Sequence, residues 1–206
     1  MITGQAVAVE PHHSGKDWTN VTANIPNLPK WGTIANIETS IHQKGVAYIS
    51  VDLHQMGDFD PFIYKTTDYG QTWTKISSSL PKSVHSFVHV IKEDPKRAGM
   101  LYAGVDNGLY ISHDDGKHWM RLRNNLPPAP VYWLEIQERF DDLVVGTYGR
   151  GYYILDDIAA LREYDVDARD KKAHLFSLRP SYRFNEKQSI KTDGPSNNSG
   201  ENPAYG

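Results

Sequence analysis

The chain has 206 residues and a formal net charge of −3, with 22 basic and 25 acidic side chains. This balance argues against the basic surface that nucleic acids and anionic membranes require, so we expect neither as a partner. There is no cysteine, which excludes disulfides and thiolate metal sites. The 12 Tyr, 5 Trp and 6 Phe, together with 16 Gly and 12 Pro, favour many short strands and an all-β fold.

Three segments of the chain repeat one pattern, in which a tryptophan is followed at fixed offsets by two apolar residues and a proline. The segments are Trp18-x-x-Val21-x-x-x-Ile25-Pro26, Trp73-x-x-Ile76-x-x-x-Leu80-Pro81 and Trp119-x-x-Leu122-x-x-x-Leu126-Pro127. A spacing of roughly 50 residues between tryptophans is too long for a helical solenoid unit and suits a four-stranded propeller blade. The sequence therefore predicts a β-propeller built from these repeats.

Short apolar segments bounded by turn residues predict the strands of each blade. After an outer piece at residues 6–22, the predicted strands lie at 33–38, 46–51 and 62–66, then at 86–91, 101–105 and 109–112, and finally at 131–136, 143–147 and 152–155. A strand that starts at the tryptophan completes every blade except the last, which lacks an obvious fourth strand unless residues 174–178 supply it. Residues 158–164 could form a short helix capped by Asp156 or Asp157.

These elements divide the chain into five parts. Residues 1–30 are the end of a truncated blade, 31–83 and 84–130 are blades, 131–180 are the last blade and an exit segment, and 181–206 are a flexible tail or the start of a missing domain. A propeller closes with about four to eight blades. Three blades therefore predict a fragment of a longer propeller, or else a ring completed by another copy or another chain, and we expect the fragment. Residues 1–10 lack a signal-peptide pattern, and a longer parent protein could be secreted or periplasmic.

Two of the tryptophans end the pattern Ser/Thr-x-Asp-x-Gly-x-Thr-Trp. Its residues are Thr66, Asp68, Gly70, Thr72 and Trp73 in one copy and Ser112, Asp114, Gly116 and Trp119 in the other, where His118 replaces the last threonine. Physically the pattern is a hairpin turn, in which Asp accepts hydrogen bonds from turn amides, Gly takes a positive φ and Trp packs back over the blade. Residues 11–18 are a degenerate copy with His13 at the Asp position.

This pattern resembles the Asp-box, or bacterial neuraminidase repeat, of sialidases, xyloglucanase-type glycoside hydrolases and sortilin-type propeller receptors. Residues 64–70, 146–157 and 200–206 are in addition similar to bacterial sortilin-like proteins often labelled glycosyl hydrolases. The resemblance covers nearly the whole chain and implies a partial β-propeller of about three four-stranded blades. In that family the Asp-box is a folding element, so Asp68 and Asp114 are expected to be structural. The family's last motif opens a further β-rich region, which implies that the chain is cut there.

The loops that connect blades and those between second and third strands emerge on one face of a propeller. In this chain they combine aromatic rings with carboxylates, which sugar recognition needs because sugar faces stack on rings and hydroxyls bind acids. The predicted ligand-binding residues are Trp31, His54, His85, Asp106, Trp133, Tyr148 and Arg150. We expect a recognition scaffold that binds a glycan or peptide on this face, with no cofactor.

The loop at residues 53–62 is the best single candidate, because it replaces a two-residue turn in the next blade. Asp58 and Asp60 are weak candidates for the acid and base of glycoside hydrolysis, which needs two carboxyls at a defined separation. The alternative is that these are solvated loop side chains. A glycoside hydrolase fragment and a purely structural blade module therefore stay open as functions. No histidine pair, including His85 and His89, matches a recognised ligand set, so no metal site is predicted.

Overall fold

The structure, a computed structural model, describes residues 8–9, 18–28, 31–164 and 171–177. An amino-terminal pair consists of β1 (Ala8–Val9) and β2 (Thr19–Asn20), followed by a 3-10 helix at Thr22–Asn24. The first sheet contains β3 (Thr33–Thr39), β4 (Ala47–Asp52), β5 (Phe62–Thr66) and β6 (Thr74–Lys75), with a 3-10 helix at His54–Met56. The second sheet contains β7 (Val88–Glu93), β8 (Leu101–Val105), β9 (Gly108–Ser112) and β10 (Met120–Leu122). The third sheet contains β11 (Val131–Gln137), β12 (Asp142–Thr147) and β13 (Tyr152–Leu155), and helix α1 (Ala159–Glu163) follows it.

Within every sheet the strands are antiparallel and follow chain order. The first strands β3, β7 and β11 contact one another in turn, so the three sheets stand side by side through their inner strands. This is the arrangement of propeller blades. The predicted all-β partial propeller of about three blades is therefore confirmed. The predicted strands are all present, with ends shifted by one or two residues.

The third sheet has three strands among the described residues, and residues 171–177 contain none. The possible fourth strand at 174–178 is thus absent as far as Ser177, and Leu178 lies outside the described residues. The predicted hairpin copy at residues 11–17, most of the charged exit segment and the tail at 181–206 also lie outside them.

The three sheets can be compared position by position through their registers. Equivalent cross-strand pairs are Asn36 with Ser50, Val90 with Gly104, and Trp133 with Gly146. Just before each pair the innermost strand carries one extra residue, a β-bulge. The extra residues are Ala35, His89 and Tyr132. All three blades therefore bend at the same place on the innermost strand.

The hydrophobic core lies between neighbouring sheets. Ile91 and Ala103 of the second sheet pack against Val46 and Tyr48 of the first. Leu134 of the third sheet packs against the second sheet in the same way. The second sheet is covered on both faces, so its middle strands β8 and β9 are buried along their whole length and are largely apolar.

A glycine sets the distance between the second and third sheets. A Cβ at Gly104 would lie 2.5 Å from Cγ1 of Val90 and 2.6 Å from the backbone oxygen of Val131. No side chain fits in that space without moving backbone. Gly104 therefore allows β11 to approach the second sheet closely.

A hairpin links the third and fourth strands of the first two sheets and packs on the preceding repeat. Gly70 has a φ of 81°, and a Cβ there would lie 2.9 Å from Cγ2 of Val21. Gly116 has a φ of 82°, and a Cβ there would lie 2.8 Å from Cβ of Ile76. Val21 and Ile76 both follow a repeat tryptophan at the same offset. One repeat's apolar side chain thus rests on the next repeat's hairpin glycine.

A hydroxyl and a carboxylate hold each hairpin. Oγ1 of Thr66 accepts a hydrogen bond from the Gly70 amide at 2.9 Å, and Oδ1 of Asp68 accepts one from the Thr72 amide at 2.8 Å. The second sheet repeats these two distances with Ser112, Gly116, Asp114 and His118. In this hairpin Nδ1 of His118 lies 2.5 Å from Oδ2 of Asp114, where the first hairpin has the Thr72 hydroxyl. The histidine that departs from the pattern therefore occupies the threonine's position.

Helix α1 replaces this hairpin in the third sheet. The Ile158 amide donates to the Asp141 carbonyl at 2.8 Å, as the Tyr69 and Asp115 amides donate to Gly45 and Gly99 in the other sheets. The helix then begins, with Ile158 at its N-cap and no side-chain cap there. The predicted capping by Asp156 or Asp157 is wrong in position, although Oδ1 of Asp157 accepts from the Ala159 amide at 3.2 Å. In the parts of the chain that the structure describes, no helix has the length and apolar character to cross a membrane.

Replacing Gly104 by alanine should destabilise the fold by about 1–3 kcal/mol, because the new methyl group overpacks the contact between the second and third sheets. Gly146 is the matched control, since it has the same register position in the third sheet. A Cβ there meets atoms no closer than 3.4 Å. Urea titration of dilute protein measures both variants. Equal free energies of unfolding for Gly104→Ala and Gly146→Ala would contradict the close approach.

Candidate functional site

The loop face is the end of the sheets that carries residues 26–28, 31–32, 52–61, 81–87, 106–107, 127–130 and 147–151. Two positions of each blade reach it at the inner edge: the bulge residue of the first strand, and the second-strand residue one place beyond the cross-strand pair that precedes the bulge. The bulge residues are Ala35, His89 and Tyr132, and the strand-end residues are Asp52, Asp106 and Tyr148. The repeat therefore places three pairs of side chains along one arc.

Aromatic rings form a continuous chain across this face. His54 stacks on Phe87 with ring centroids 4.6 Å apart, and Phe87 meets the edge of His89 at 5.0 Å. His89 stacks on Tyr132 at 3.9 Å, and Tyr132 contacts Tyr148 at 5.5 Å. These five residues, called the ring chain below, come from all three blades. Contacts of this geometry stabilise a pair by about 0.5–1.5 kcal/mol beyond area burial.

Two carboxylates lie beside the ring chain and hold its histidines. Oδ1 of Asp52 accepts from the backbone amide of His54 at 2.9 Å and lies 2.7 Å from its Nδ1. Oδ2 of Asp106 lies 2.7 Å from Nδ1 of His85, while its Oδ1 lies 3.3 Å from Nε2 of His89. Both carboxylates are largely shielded from solvent. They therefore fix imidazole orientation and add negative charge along the rings.

Burial controls the protonation of the central rings. Burial lowers the pKa of His89, although the hydrogen bond and charge of Asp106 act in the opposite direction. His89 is therefore neutral near pH 7 and donates its Nε2 proton to Asp106. Burial, with the charges of Asp106 and Asp52, raises the pKa of Tyr132. The Tyr132 hydroxyl consequently stays protonated and can donate a hydrogen bond.

Four of the predicted ligand-binding residues come together here. His54 and Tyr148 end the ring chain, and His85 joins it through Asp106. The other three predicted residues, Trp31, Trp133 and Arg150, are exposed and lie outside the ring chain.

Trp31 precedes β3 with a φ of 73°, and Arg150 lies in the turn between β12 and β13. Trp133 stands in one row with Gly146 and Tyr152, on the face of the third sheet turned away from the second. The structure therefore separates these three side chains from the predicted cluster.

Phe87, His89 and Tyr132 complete the ring chain but were not among the predicted ligand-binding residues. Strand alternation alone would assign His89 to the core or to the surface. The bulge that turns it toward the loop face has no signature in this sequence. The repeat register is the signal that could have found them. It places His89 and Tyr132 at one position of successive blades.

The loop that carried the acid and base candidates uses its carboxylates locally. Oδ1 of Asp58 accepts from the Asp60 amide at 3.0 Å, and Asp60 forms an ion pair with Lys82. Within the described residues, no group of three or more His, Cys, Asp or Glu side chains is placed to hold a metal ion. His85 precedes β7, and it shares the carboxylate of Asp106 with His89.

The fold and the loop face together define a partial β-propeller with an aromatic, acidic surface at its inner edge. No family model matches the chain, and no curated protein matches it. Among solved structures, it is similar to the GH74 xyloglucanase from Xanthomonas campestris, with a TM-score of 0.51 and 15% identity over 68% of this chain and 24% of the xyloglucanase. The match therefore spans about a quarter of that enzyme, and at this identity it shows the β-propeller fold alone.

Two further solved structures match the chain. The GH74 enzyme from Niastella koreensis has a TM-score of 0.49 and 16% identity, over 60% of this chain and 21% of that chain. YCF48 bound to the D1 peptide has a TM-score of 0.46 and 18% identity, over 68% of this chain and 40% of that chain.

The buried histidines make stability depend on pH. Burial lowers the pKa of His89 and of His113 below the unfolded value of 6.5. The unfolded chain therefore binds protons more readily, so stability falls as pH falls through 6.5. We expect urea titrations at about pH 7.5 and about pH 5.5 to show this loss, and His89→Gln to reduce it.

The matched control is His174→Gln, which removes an exposed imidazole. Because this imidazole is not buried, its removal should change the difference between the two pH values less than His89→Gln does. A His89→Gln variant with the wild-type pH dependence would show that this ring does not contribute to it.

Proposed function

We propose that the loop face is a recognition surface and that its ligand is a glycan. The observation that carries this proposal is the ring chain with Asp52 and Asp106 beside it. Sugar rings have apolar faces that stack on aromatic rings and hydroxyl groups that bond to carboxylates and imidazoles. The ring chain offers both kinds of group within one arc.

Tyr148 supports this proposal through its position. It is 71% exposed at the end of the ring chain, and Tyr132, which it contacts, is also exposed. An exposed ring held by a second ring is a rigid platform, so little side-chain entropy is lost when a ligand stacks on it. The buried His89 holds Tyr132 from the other side. We infer that the ligand's apolar face contacts these two tyrosines.

A peptide is the alternative ligand, because backbone amides and aromatic side chains could use the same groups. The hydrolase alternative has less support, since Asp58 and Asp60 are engaged by an amide and by Lys82. A purely structural module is the third possibility, and failure to bind any ligand would favour it. We also propose that the two hairpins are Asp-boxes and that the chain belongs to a longer bacterial sortilin-like protein. The two copies of the Ser/Thr-x-Asp-x-Gly-x-Thr-Trp pattern support the first assignment, and residues 64–70, 146–157 and 200–206 support the second.

The direct test is binding to a panel of plant and host oligosaccharides and peptides, measured by array and then by calorimetry. We expect an oligosaccharide to bind and Tyr148→Ala to weaken its binding by up to about tenfold, because an aromatic contact contributes about 0.5–1.5 kcal/mol. Tyr152→Ala is the matched control, since Tyr152 is exposed in the same hairpin but lies outside the ring chain. Equal binding by the two variants would contradict the proposed platform.

Release of reducing sugar from a bound oligosaccharide separates recognition from hydrolysis. We expect none from the wild-type chain. Turnover that disappears in the Asp58→Ala/Asp60→Ala double variant would replace the recognition proposal with hydrolysis. Peptide binding that depends on Tyr148 would retain the surface and change the ligand class.

A further inference from the structure

The third sheet has a face that no other described sheet covers. On the second sheet, the equivalent face is buried under the third sheet through Val90, Leu109 and Ile111. The register places Trp133, Tyr152 and Ile154 at those positions of the third sheet. All three are at least 60% exposed. The third sheet therefore presents an apolar blade face without a blade on it.

The first sheet is open at the innermost strand of its opposite face, while Val21 and Ile25 cover the middle of that face. Ile37, Ile91 and Leu134 occupy one position on the innermost strands. Ile91 and Leu134 are fully buried against the preceding sheet, whereas Ile37 is 51% exposed. The open face of the third sheet and the open innermost strand of the first sheet are therefore the two surfaces that would meet if one blade packed on the other.

A cavity between the second and third sheets has the position of a repeat tryptophan. Trp73 packs with Val21 and Ile25, and Trp119 packs with Ile76 and Leu80. The next pair of the repeat, Leu122 and Leu126, lines a cavity of about 320 Å³ instead. Asn125 lies in the same lining, at the position of Ser79, whose hydroxyl accepts from the Trp119 amide at 3.1 Å. The cavity therefore has an apolar pair like the one that packs on the Trp119 indole, and a polar group where Ser79 bonds the Trp119 backbone.

Trp18, the first tryptophan of the repeat, does not lie in a cavity of the described residues. Trp73 and Trp119 are 6% and 8% exposed, whereas Trp18 is 63% exposed. The pairing of Thr19 with Val9 matches that of Met120 with Ile111, so β1 and β2 have the register of the outer two strands of a blade. Among the described residues, the third sheet therefore lacks a fourth strand, and β1 and β2 lack the two inner strands of a blade.

We propose that two copies of this chain dock head to tail, each on the open face of the other's third sheet, in the place that a neighbouring blade takes in a longer propeller. Trp18 of one copy enters the other's cavity at Leu122 and Leu126. The same copy's β2 separates from β1 and pairs instead with the outer edge of the other's β13, which no described strand occupies. Its first sheet then covers Trp133 and Ile154. The same contact made twice gives a closed ring of two chains with six blades, within the usual range of about four to eight.

Two glutamates on the innermost strands would repel each other in the docked pair. Nζ of Lys92 lies 3.6 Å from Oε1 of Glu38 and 3.6 Å from Oε2 of Glu135, at equivalent positions of the three blades. In the ring, Glu135 of one copy would face Glu38 of the other. Like charges so placed repel. Glu135→Gln should therefore tighten the association of two chains.

Sedimentation velocity and light scattering on the full chain test the proposal. We expect a concentration-dependent mass of two chains and at least about tenfold weaker association of Trp18→Ala, because the indole fills a preformed cavity. Trp31→Ala, the matched control, removes another exposed indole that lies outside the repeat and should associate like the wild type. Gly146→Ala should fold as the wild-type monomer and also associate weakly, since its methyl group would meet the docked strand as one at Gly104 meets Val131.

A chain that stays monomeric up to ~100 µM overturns the proposal, as does a dimer that Trp18→Ala and Gly146→Ala leave unchanged. A synthetic peptide of residues 14–27 tests whether the surface binds a blade strand from a different polypeptide rather than a second copy of this chain. If the monomeric chain binds this peptide and Leu126→Ala weakens the binding, the surface accepts a blade strand from a different polypeptide, and the second copy is excluded as its partner.

Discussion

The contact between one repeat's apolar side chain and the next repeat's hairpin glycine sets the geometry of the molecule. Val21 on Gly70 and Ile76 on Gly116 place each outer hairpin on its neighbour, and Gly104 brings β11 to the second sheet at the inner side. Because Ile76 on Gly116 joins the first two sheets and Gly104 joins the second and third, the angle between successive sheets is fixed by packing rather than by the linkers between them. The ring chain depends on this angle, since the contact of His89 with Tyr132 joins two different blades.

The two ends of the sheets use carboxylates differently. On the hairpin end, hydrogen bonds from the Thr72 hydroxyl and amide lower the pKa of Asp68, so this carboxylate is committed to turn structure. On the loop end, Asp52 and Asp106 bond mainly to imidazoles. Imidazoles can be rearranged by a ligand at lower cost than a backbone turn, because no main-chain hydrogen bond is broken. Recognition is therefore better suited to the loop end.

Much of the fold could be predicted from the sequence because the repeat, the apolar segments and the turn residues agree with one another. The candidate site was predicted in part. His54, His85, Asp106 and Tyr148 follow from their loops, whereas His89 and Tyr132 depend on a bulge whose extra residue reverses the side on which a side chain lies. The same bulge places Trp133 on the open face of the third sheet, away from the ring chain. The helix that replaces the third hairpin had a readable signal, because Leu155 and Ala159 stand where the hairpins have a hydroxyl and a glycine.

The composition of the arc changes from blade to blade, and this change bears on ligand orientation. The bulge and strand-end positions are Ala35 and Asp52 in the first sheet, His89 and Asp106 in the second, and Tyr132 and Tyr148 in the third. Negative charge is therefore concentrated at the first two blades and exposed ring surface at the third. A ligand with one apolar face and one hydroxyl-rich edge would gain both contacts in a single orientation only. The bulge and strand-end positions are equivalent in all three blades. The difference in charge and ring surface along the arc therefore comes from side-chain substitution on a repeated backbone.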